Sequence, residues 1–273
     1  MTTVGIAMVR DEDDVIESTL RHMATQVDAL LVADNRSTDR TATILEIVAR
    51  ESAIPVEVIP DREVGYMQSE KMTRLAHLAK KMFDADWIVP FDADEIWYSP
   101  WGTVAEFLEA LPSGDIVKAN LYDHVCTGYD DPNELDPIAR IQWRRSYAVP
   151  LQKVACRYAP DLIIGMGNHE AWHVSGPAEP AIQRLAIRHF PYRSPEQVVR
   201  KVRNGAEAYA ATNLPDNYGA HWRQWGAILE HHGEAAIRDL FHKWYYRAEP
   251  DQHIVLDNES QGPLVCDPAP VRR

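Results

Sequence analysis

Three carboxylates crowd into four residues at Asp92-Ala93-Asp94-Glu95, directly behind the apolar run Trp87-Ile88-Val89-Pro90-Phe91. Alternate side chains of a strand point to opposite faces, so Asp92 and Asp94 are expected on one side as that strand ends. Like charges so close are costly unless something cationic joins them. Their hard oxygens suit Mg²⁺ or Mn²⁺, ions that in turn suit phosphate-bearing substrates. A solvated turn after a buried strand has the same look, so the weight of this D-x-D depends on its surroundings.

Short apolar runs alternate with helical patterns in the first third of the chain. Val4 to Val9 reads as a buried strand, and Ala29 to Ala33, Val56 to Ile59 and Trp87 to Phe91 read as the second, third and fourth strands. Between them lie a helical stripe of Val15, Ile16, Leu20 and Met23, a helix from Thr41 to Arg50 with Ile44, Ile47 and Val48 inward, and a helix from Gln68 to Phe83. Such a β-α-β-α-β-α-β order implies a parallel, doubly wound sheet with right-handed crossovers. Ligands in these sheets bind beyond the carboxyl ends of the strands. Three polar clusters fall there: Arg10-Asp11-Glu12, Asp34-Asn35-Arg36-Ser37-Thr38-Asp39, and Asp92 to Glu95.

Further on, Thr103 to Leu111 reads as a helix, Asp115 to Tyr122 as a strand, Thr127 to Ile138 as a loop and Ser146 to Ile164 as short strands. Gly165 to Glu170 is a tight polar turn, Pro177 to Pro180 breaks the chain, and Arg184 to His189 is a strand end. Ser194-Pro195-Glu196-Gln197 opens a helix: serine caps, proline takes the first helical position and glutamine can complete a capping box. A second, aromatic-rich helical region covers His221 to Tyr246, and the tail from Pro250 is expected to be irregular.

The chain of 273 residues is long enough to bury a sizeable core. Its net charge of −13 argues against a nucleic-acid partner and against anionic membrane surfaces. Cys126, Cys156 and Cys266 form no C-x-x-C pair, so neither a zinc knuckle nor a disulfide framework is implied. The N-terminal residues lack the pattern of a signal peptide and no apolar run reaches membrane-spanning length, so a cytoplasmic protein is expected.

The order of the strand-end clusters is more specific than any one of them. A first strand ending in Arg-Asp-Glu, a second ending in Asp-Asn-x-Ser-Thr-Asp and a fourth ending in Asp-Ala-Asp-Glu resemble the family 2-like nucleotide-sugar glycosyltransferases of the GT-A fold. The resemblance covers about residues 3 to 205 and is carried mostly by the first hundred. It implies an α/β fold, Rossmann-like, with a mostly parallel central sheet flanked by helices. Residues 1–205 would form the transferase domain and 206–273 a helical C-terminal extension serving the acceptor site or packing.

By the same resemblance, Val9, Arg10 and Asp11 lie near the nucleoside of a nucleoside-diphosphate sugar, and Asp34 accepts hydrogen bonds from its base. Asp92, with Ala93 beside it, reaches the ribose or the metal. Asp94 binds Mn²⁺ or Mg²⁺ under the diphosphate, and His189 is a further metal ligand whose nitrogen favours Mn²⁺. A metal there neutralises the leaving diphosphate as its charge develops. Arg36 and Arg40 stand where the family often has glycine, so position 36 is expected to need a positive φ. Asp39 reads as a turn and helix cap.

Gly167 allows close backbone approach to a sugar, and Glu170 or its neighbour His169 is the candidate base that deprotonates an acceptor hydroxyl, with inversion at the anomeric centre. Arg184 to Arg203 carries six Lys or Arg against Glu196 alone, a local reversal in an acidic chain. Arg193 and Lys201 can close over a diphosphate there, the helix opened by Ser194 favours anions, and Lys71 and Arg74 are further candidates. Tyr218, His221, Trp222 and Trp225 lie in the segment expected to shape the acceptor site.

Two rivals use the same residues. In phosphatases of the haloacid dehalogenase type, a D-x-D also ends a strand, but near the N-terminus and with Thr or Val where Ile96 stands here. A non-catalytic nucleotide or carbohydrate binding module could keep the fold without the chemistry, though it has no need of Asp92, Asp94, Glu170 and His189 together.

Overall fold

The structure, a computed structural model, describes the chain apart from residues 64, 66, 177, 216–218, 257–258 and 270–273, and the side chains at 183, 254–256 and 259–261. The first third folds as expected. Strands β1 (Thr3–Val9), β2 (Ala29–Asp34), β3 (Val56–Pro60) and β4 (Trp87–Pro90) alternate with helices α1 (Ile16–Met23), α2 (Thr41–Glu51) and α3 (Gln68–Phe83). On α2, Leu45 and Val48 are the buried apolar residues and Ile47 is only half-buried, a shift of the inward stripe from the expected one.

Four more strands complete the sheet: β5 (Glu95–Tyr98), β6 (Ile116–Asp123), β7 (Gln152–Arg157) and β8 (Pro180–His189). The order is β3-β2-β1-β4-β7-β6-β8-β5. The first four strands pair in parallel, as does β6 with β8. The pairs β4–β7, β7–β6 and β8–β5 are antiparallel, so the sheet is mixed beyond the strand that precedes the D-x-D.

Both faces of β1, β2 and β4 are covered, which is why these three parallel strands are almost wholly apolar, whereas edge strand β3 carries Glu57 and is only partly buried. Alternation on β1 sends Ala7 and Val9 into one core and Val4 and Ile6 into the other. The first core takes α1, α2, the short helix α4 (Val104–Glu109), and helices α5 (Pro195–Ala210) and α6 (Ala220–Trp244). The second takes α3 and a hairpin of Leu162–Ile164 with Ala171–His173.

Helix α5 starts as its sequence requires. Ser194 accepts from the Gln197 amide at 3.1 Å and Pro195 follows it. Gln197 does not close a capping box on Ser194; its Oε1 accepts instead from the Arg193 amide at 3.2 Å. Helix α6 is two helical stretches meeting at Gly233 (φ 77°), and its Ile237 and Phe241 join the same core as β1 and β4. The tail is less irregular than expected. Val265–Cys266 pairs with Trp143–Arg144, and Asp267 holds Arg144 at 2.7 Å and Arg188 of β8 at 2.8 Å. Among the described residues, no helix is long and apolar enough to cross a membrane.

His124, just past β6, is fully buried, stacked on Phe190 with ring centroids 4.3 Å apart. Its Nδ1 donates to the Ile141 carbonyl at 2.9 Å and its Nε2 meets no polar partner. Burial pushes its pKa down to about 4, so the folded protein holds it neutral while the unfolded chain protonates it near the ordinary value of 6.5. Between those values the unfolded state binds more protons, and stability falls as the pH drops. Urea melts at pH 7 and 4.5 should therefore show a loss that is smaller in His124→Gln than in the parent. The His124 share is on the order of 3 kcal/mol at its limit; equal losses in both proteins would refute it.

Candidate functional site

A cavity of about 770 Å³ opens at the carboxyl ends of β1 and β4. Of the residues expected there, Val9, Arg10, Asp11 and Lys71 line one part of it, and Asp92, Ala93 and Asp94 another. Gly167, His169, His189 and Lys201 complete the wall, so eleven of the expected residues meet in one place. Asp34, Arg74, Glu170 and Arg193 do not line it.

The D-x-D carboxylates have different surroundings. Asp94, 3% exposed, accepts from Lys201 at 2.6 Å through Oδ2, with the Arg193 guanidinium 3.6 Å away. Its Oδ1 lies 3.8 Å from Nε2 of His189. Burial resists its charge, but Lys201, His189 and Arg193 outweigh that and hold its carboxyl below the usual carboxylate range. His189 Nδ1 lies 2.8 Å from Asp123. Burial disfavours the imidazolium, yet Asp123 and Asp94 raise the His189 pKa above its ordinary value.

A histidine that gives one ring N–H to a carboxylate and presents the other nitrogen beside Asp94 has the form of a metal ligand with its supporting acid. Asp94 and His189 thus fit a divalent cation as two protein donors, leaving the rest of the shell to water and phosphate oxygens, as Mg²⁺ prefers. Among the described residues, no group of three or more His, Cys, Asp or Glu is gathered for an ion. Asp92 is not brought into such a group: Lys153 binds its Oδ2, and Asn168 Nδ2 lies 3.3 Å from its Oδ1. Glu95 is fully buried, 2.9 Å from Lys153 and 3.1 Å from the Trp97 indole N–H. Lys153 is therefore the cation that lets Asp92 and Glu95 stand together.

The base candidates separate cleanly. Glu170 is exposed, and its backbone carbonyl closes the 165–170 turn by accepting from the Gly165 amide at 2.8 Å. Its side chain is not among the residues that line the cavity. His169 lines the cavity, and its Nδ1 lies 2.9 Å from the Gln152 carbonyl. A carbonyl can only accept, so Nδ1 carries the proton and Nε2 keeps its lone pair. Burial and Lys153 lower the His169 pKa, which keeps the ring neutral at pH 7. Gly167 (φ 69°) makes room for this ring: a Cβ there would meet His169 Cδ2 at 2.4 Å. Its glycine serves the histidine, whatever it also offers a sugar.

Arg193 is fully buried and held by Glu12 at 2.5 Å and Asp14 at 2.8 Å, so it fastens the Glu12–Asp14 segment and does not face a diphosphate. Lys71 reaches the cavity wall but is bound to Asp61 and to the Glu63 carbonyl, both at 2.7 Å. Arg74 is exposed, 4.0 Å from Glu63. Asp34 caps its own turn, accepting from the Ser37 amide at 3.2 Å, and the neighbouring Asn35 lines the cavity in its place. Asp39 caps as expected, accepting from the Thr41 amide at 2.8 Å. Asp11 ties three segments: it accepts from the Thr38 amide at 2.6 Å and from Asn204 of α5 at 2.8 Å. Burial alone would raise its pKa; these bonds reverse that and lower it. Of the aromatic group, His221 and Trp222 line the cavity, Trp225 packs on Tyr192, and Tyr218 lies outside the described residues.

Lys153, Asp123 and Asn168 escaped sequence reasoning. None of them belongs to a recognisable motif, and for Lys153 the only signal was the need for a cation beside clustered acids.

No protein-family model matches the chain, and no curated protein matches it in sequence. Among solved structures it is similar to S. aureus TarS 1–349 in complex with UDP, at 12% identity and a TM-score of 0.38, over 84% of this chain and 72% of that one. It is also similar to HddC from Yersinia pseudotuberculosis, at 13% identity and a TM-score of 0.31, over 69% and 74% of the two chains. A putative glucose-1-phosphate thymidylyltransferase from Bacillus anthracis, in complex with a sucrose, gives 12% identity and a TM-score of 0.30 over 90% and 86%. The functional reading rests on this chain's own residues.

Arg36 has φ 58°, the left-handed conformation expected at that turn, and its side chain is exposed. An L-residue there costs roughly 1–2 kcal/mol, partly offset in glycine by its greater unfolded-state freedom. Arg36→Gly should raise stability by about 0.5–1 kcal/mol in urea melts; a decrease would mean that the turn does not carry this strain.

Proposed function

We propose that the chain transfers a sugar from a nucleoside-diphosphate sugar to an acceptor hydroxyl, inverting the anomeric centre. The supporting observation is the company kept in one cavity. Asp94 and the Asp123-backed His189 form a two-donor cation site beside Lys201, and a neutral His169 with an unprotonated nitrogen stands in the same wall. A phosphatase of the D-x-D type carries its pair near the N-terminus, whereas here the pair follows the fourth strand.

Asp94 and His189 would hold Mn²⁺ or Mg²⁺, which when bound would offset the charge of a leaving diphosphate. Val9, Arg10 and Asn35 form the end of the cavity that receives the nucleoside. Asp11 shapes that end by joining β1, the loop after β2 and α5. Asp92, oriented by Lys153 and Asn168, presents its carboxylate towards the ribose. His169 accepts the acceptor's hydroxyl proton on Nε2. The oxygen then bonds to the anomeric carbon from the side opposite the diphosphate as the carbon–diphosphate bond breaks, and that geometry inverts the centre.

Thermal melts with UDP, GDP and TDP, each with and without Mn²⁺, test the reading. One of them should stabilise the protein in a metal-assisted manner, by about 2.7 kcal/mol at 100 times its dissociation constant. No response to any of the three would sink the proposal. The base assignment has its own test in donor consumption against a panel of acceptors. His169→Gln should spare nucleotide binding and slow turnover by about 10²–10⁴-fold, while Glu170→Gln keeps its rate. The opposite pattern would return the base to Glu170.

A further inference from the structure

Among the described residues, five Lys and Arg side chains line the cavity: Arg10, Lys71, Lys153, Arg200 and Lys201. Every one already faces a carboxylate, so an entering diphosphate must draw a cation away from its partner. Lys71 and Lys153 are poor candidates, with side chains only 4% and 5% exposed. Lys153 leaving would also strand the fully buried Glu95. Arg10 and Arg200 hold carboxylates away from the D-x-D, namely Glu207 and Asp14.

Lys201 differs in each respect. Its side chain is 23% exposed and reaches from α5 to Asp94 Oδ2 at 2.6 Å, with the Pro191 carbonyl 3.1 Å away. Its four-carbon stem is flexible and its ammonium is a point charge that can change partners. Asp94 would not be left bare, because Arg193 stays 3.6 Å away, fixed by Glu12 and Asp14.

Resting on the reading of this cavity as a nucleotide-sugar and cation site, we propose that Lys201 is an exchangeable cap. It occupies Asp94 when no donor is bound, and passes to the diphosphate when the donor enters, freeing Asp94 for the divalent ion. Lys201 and the ion therefore compete for one carboxylate in the empty protein. The diphosphate removes the competitor, so nucleotide and ion bind cooperatively, each raising the affinity of the other by the same factor.

The cap makes a prediction of opposite signs that a merely structural lysine would not. Mn²⁺ binding to the full chain is measured by electron paramagnetic resonance, and UDP, GDP and TDP binding by calorimetry in EDTA, with melts confirming that each variant is folded. Lys201→Met and Lys201→Gln should each bind Mn²⁺ alone at least about fivefold tighter than the parent, and the nucleotide at least about fivefold more weakly. Lys201→Arg, which keeps the charge, should leave Mn²⁺ affinity near the parental value. Unchanged or weaker Mn²⁺ binding in both neutral variants overturns the cap, whatever the nucleotides do. Tighter Mn²⁺ binding with no nucleotide bound by the parent would uphold the cap and overturn the nucleotide reading instead.

Discussion

The structure depends on neutralising the carboxylates that follow β4. Asp94 and Glu95 are adjacent and almost completely removed from water, and Asp92 stands beside them. Burying an ion costs several kcal/mol unless a partner and hydrogen bonds offset it. The partners come from far away in the chain. Lys153 arrives on β7, inserted antiparallel between β4 and β6, while Arg193 and Lys201 arrive with the start of α5. The register of β7 and the seating of α5 are therefore electrostatic requirements of a four-residue motif. Two adjacent acids respond in opposite ways: burial keeps the Glu95 pKa raised despite Lys153, whereas three cations around Asp94 keep its pKa lowered.

Backbone strain gathers in the loops this network ties together. Asp11 (φ 53°) and Asn168 (φ 56°), neither of them glycine, sit at the cavity or immediately beside it. Left-handed backbone costs energy and persists only where surrounding bonds over-determine it. Asp11 is fixed by Thr38 and Asn204. Asn168 connects the 165–170 turn to Asp92, and so links the segment carrying His169 to the segment carrying the D-x-D. Positions on opposite sides of the cavity are thereby set against each other by short side chains and not by loop length.

Periodicity made the parallel half legible. Helix α3 starts and ends where its pattern says, and the four parallel strands lie within a residue or so of their expected bounds. The acids at the ends of β1 and β4 were legible too, because a buried run that stops abruptly at charged residues marks the point where a strand leaves the core. Failures came where a role depends on partners distant in sequence. Arg193 looked like a free cation in a basic stretch, yet an acidic segment about 180 residues earlier binds it. Lys153 looked like an ordinary strand residue, because antiparallel insertion next to β4 is not a local property. His169 and Glu170 are neighbours in one turn, and only its backbone angles decide which of them enters the cavity.

In a chain of charge −13, every Lys and Arg side chain lining the cavity among the described residues is already paired with a carboxylate. The overall field repels phosphates, and no cavity-lining ammonium among the described residues is idle enough to capture one indiscriminately. Any anion gains only the difference between its own attraction and that of the carboxylate it displaces. A monoanion recovers little of what Asp94 loses. On the proposed reading, a diphosphate with a divalent cation would replace both halves of the Lys201–Asp94 pair at once, giving the lysine an anion and the carboxylate a cation. On that reading, pre-formed ion pairs would act as a filter for ligands that bring both charges together.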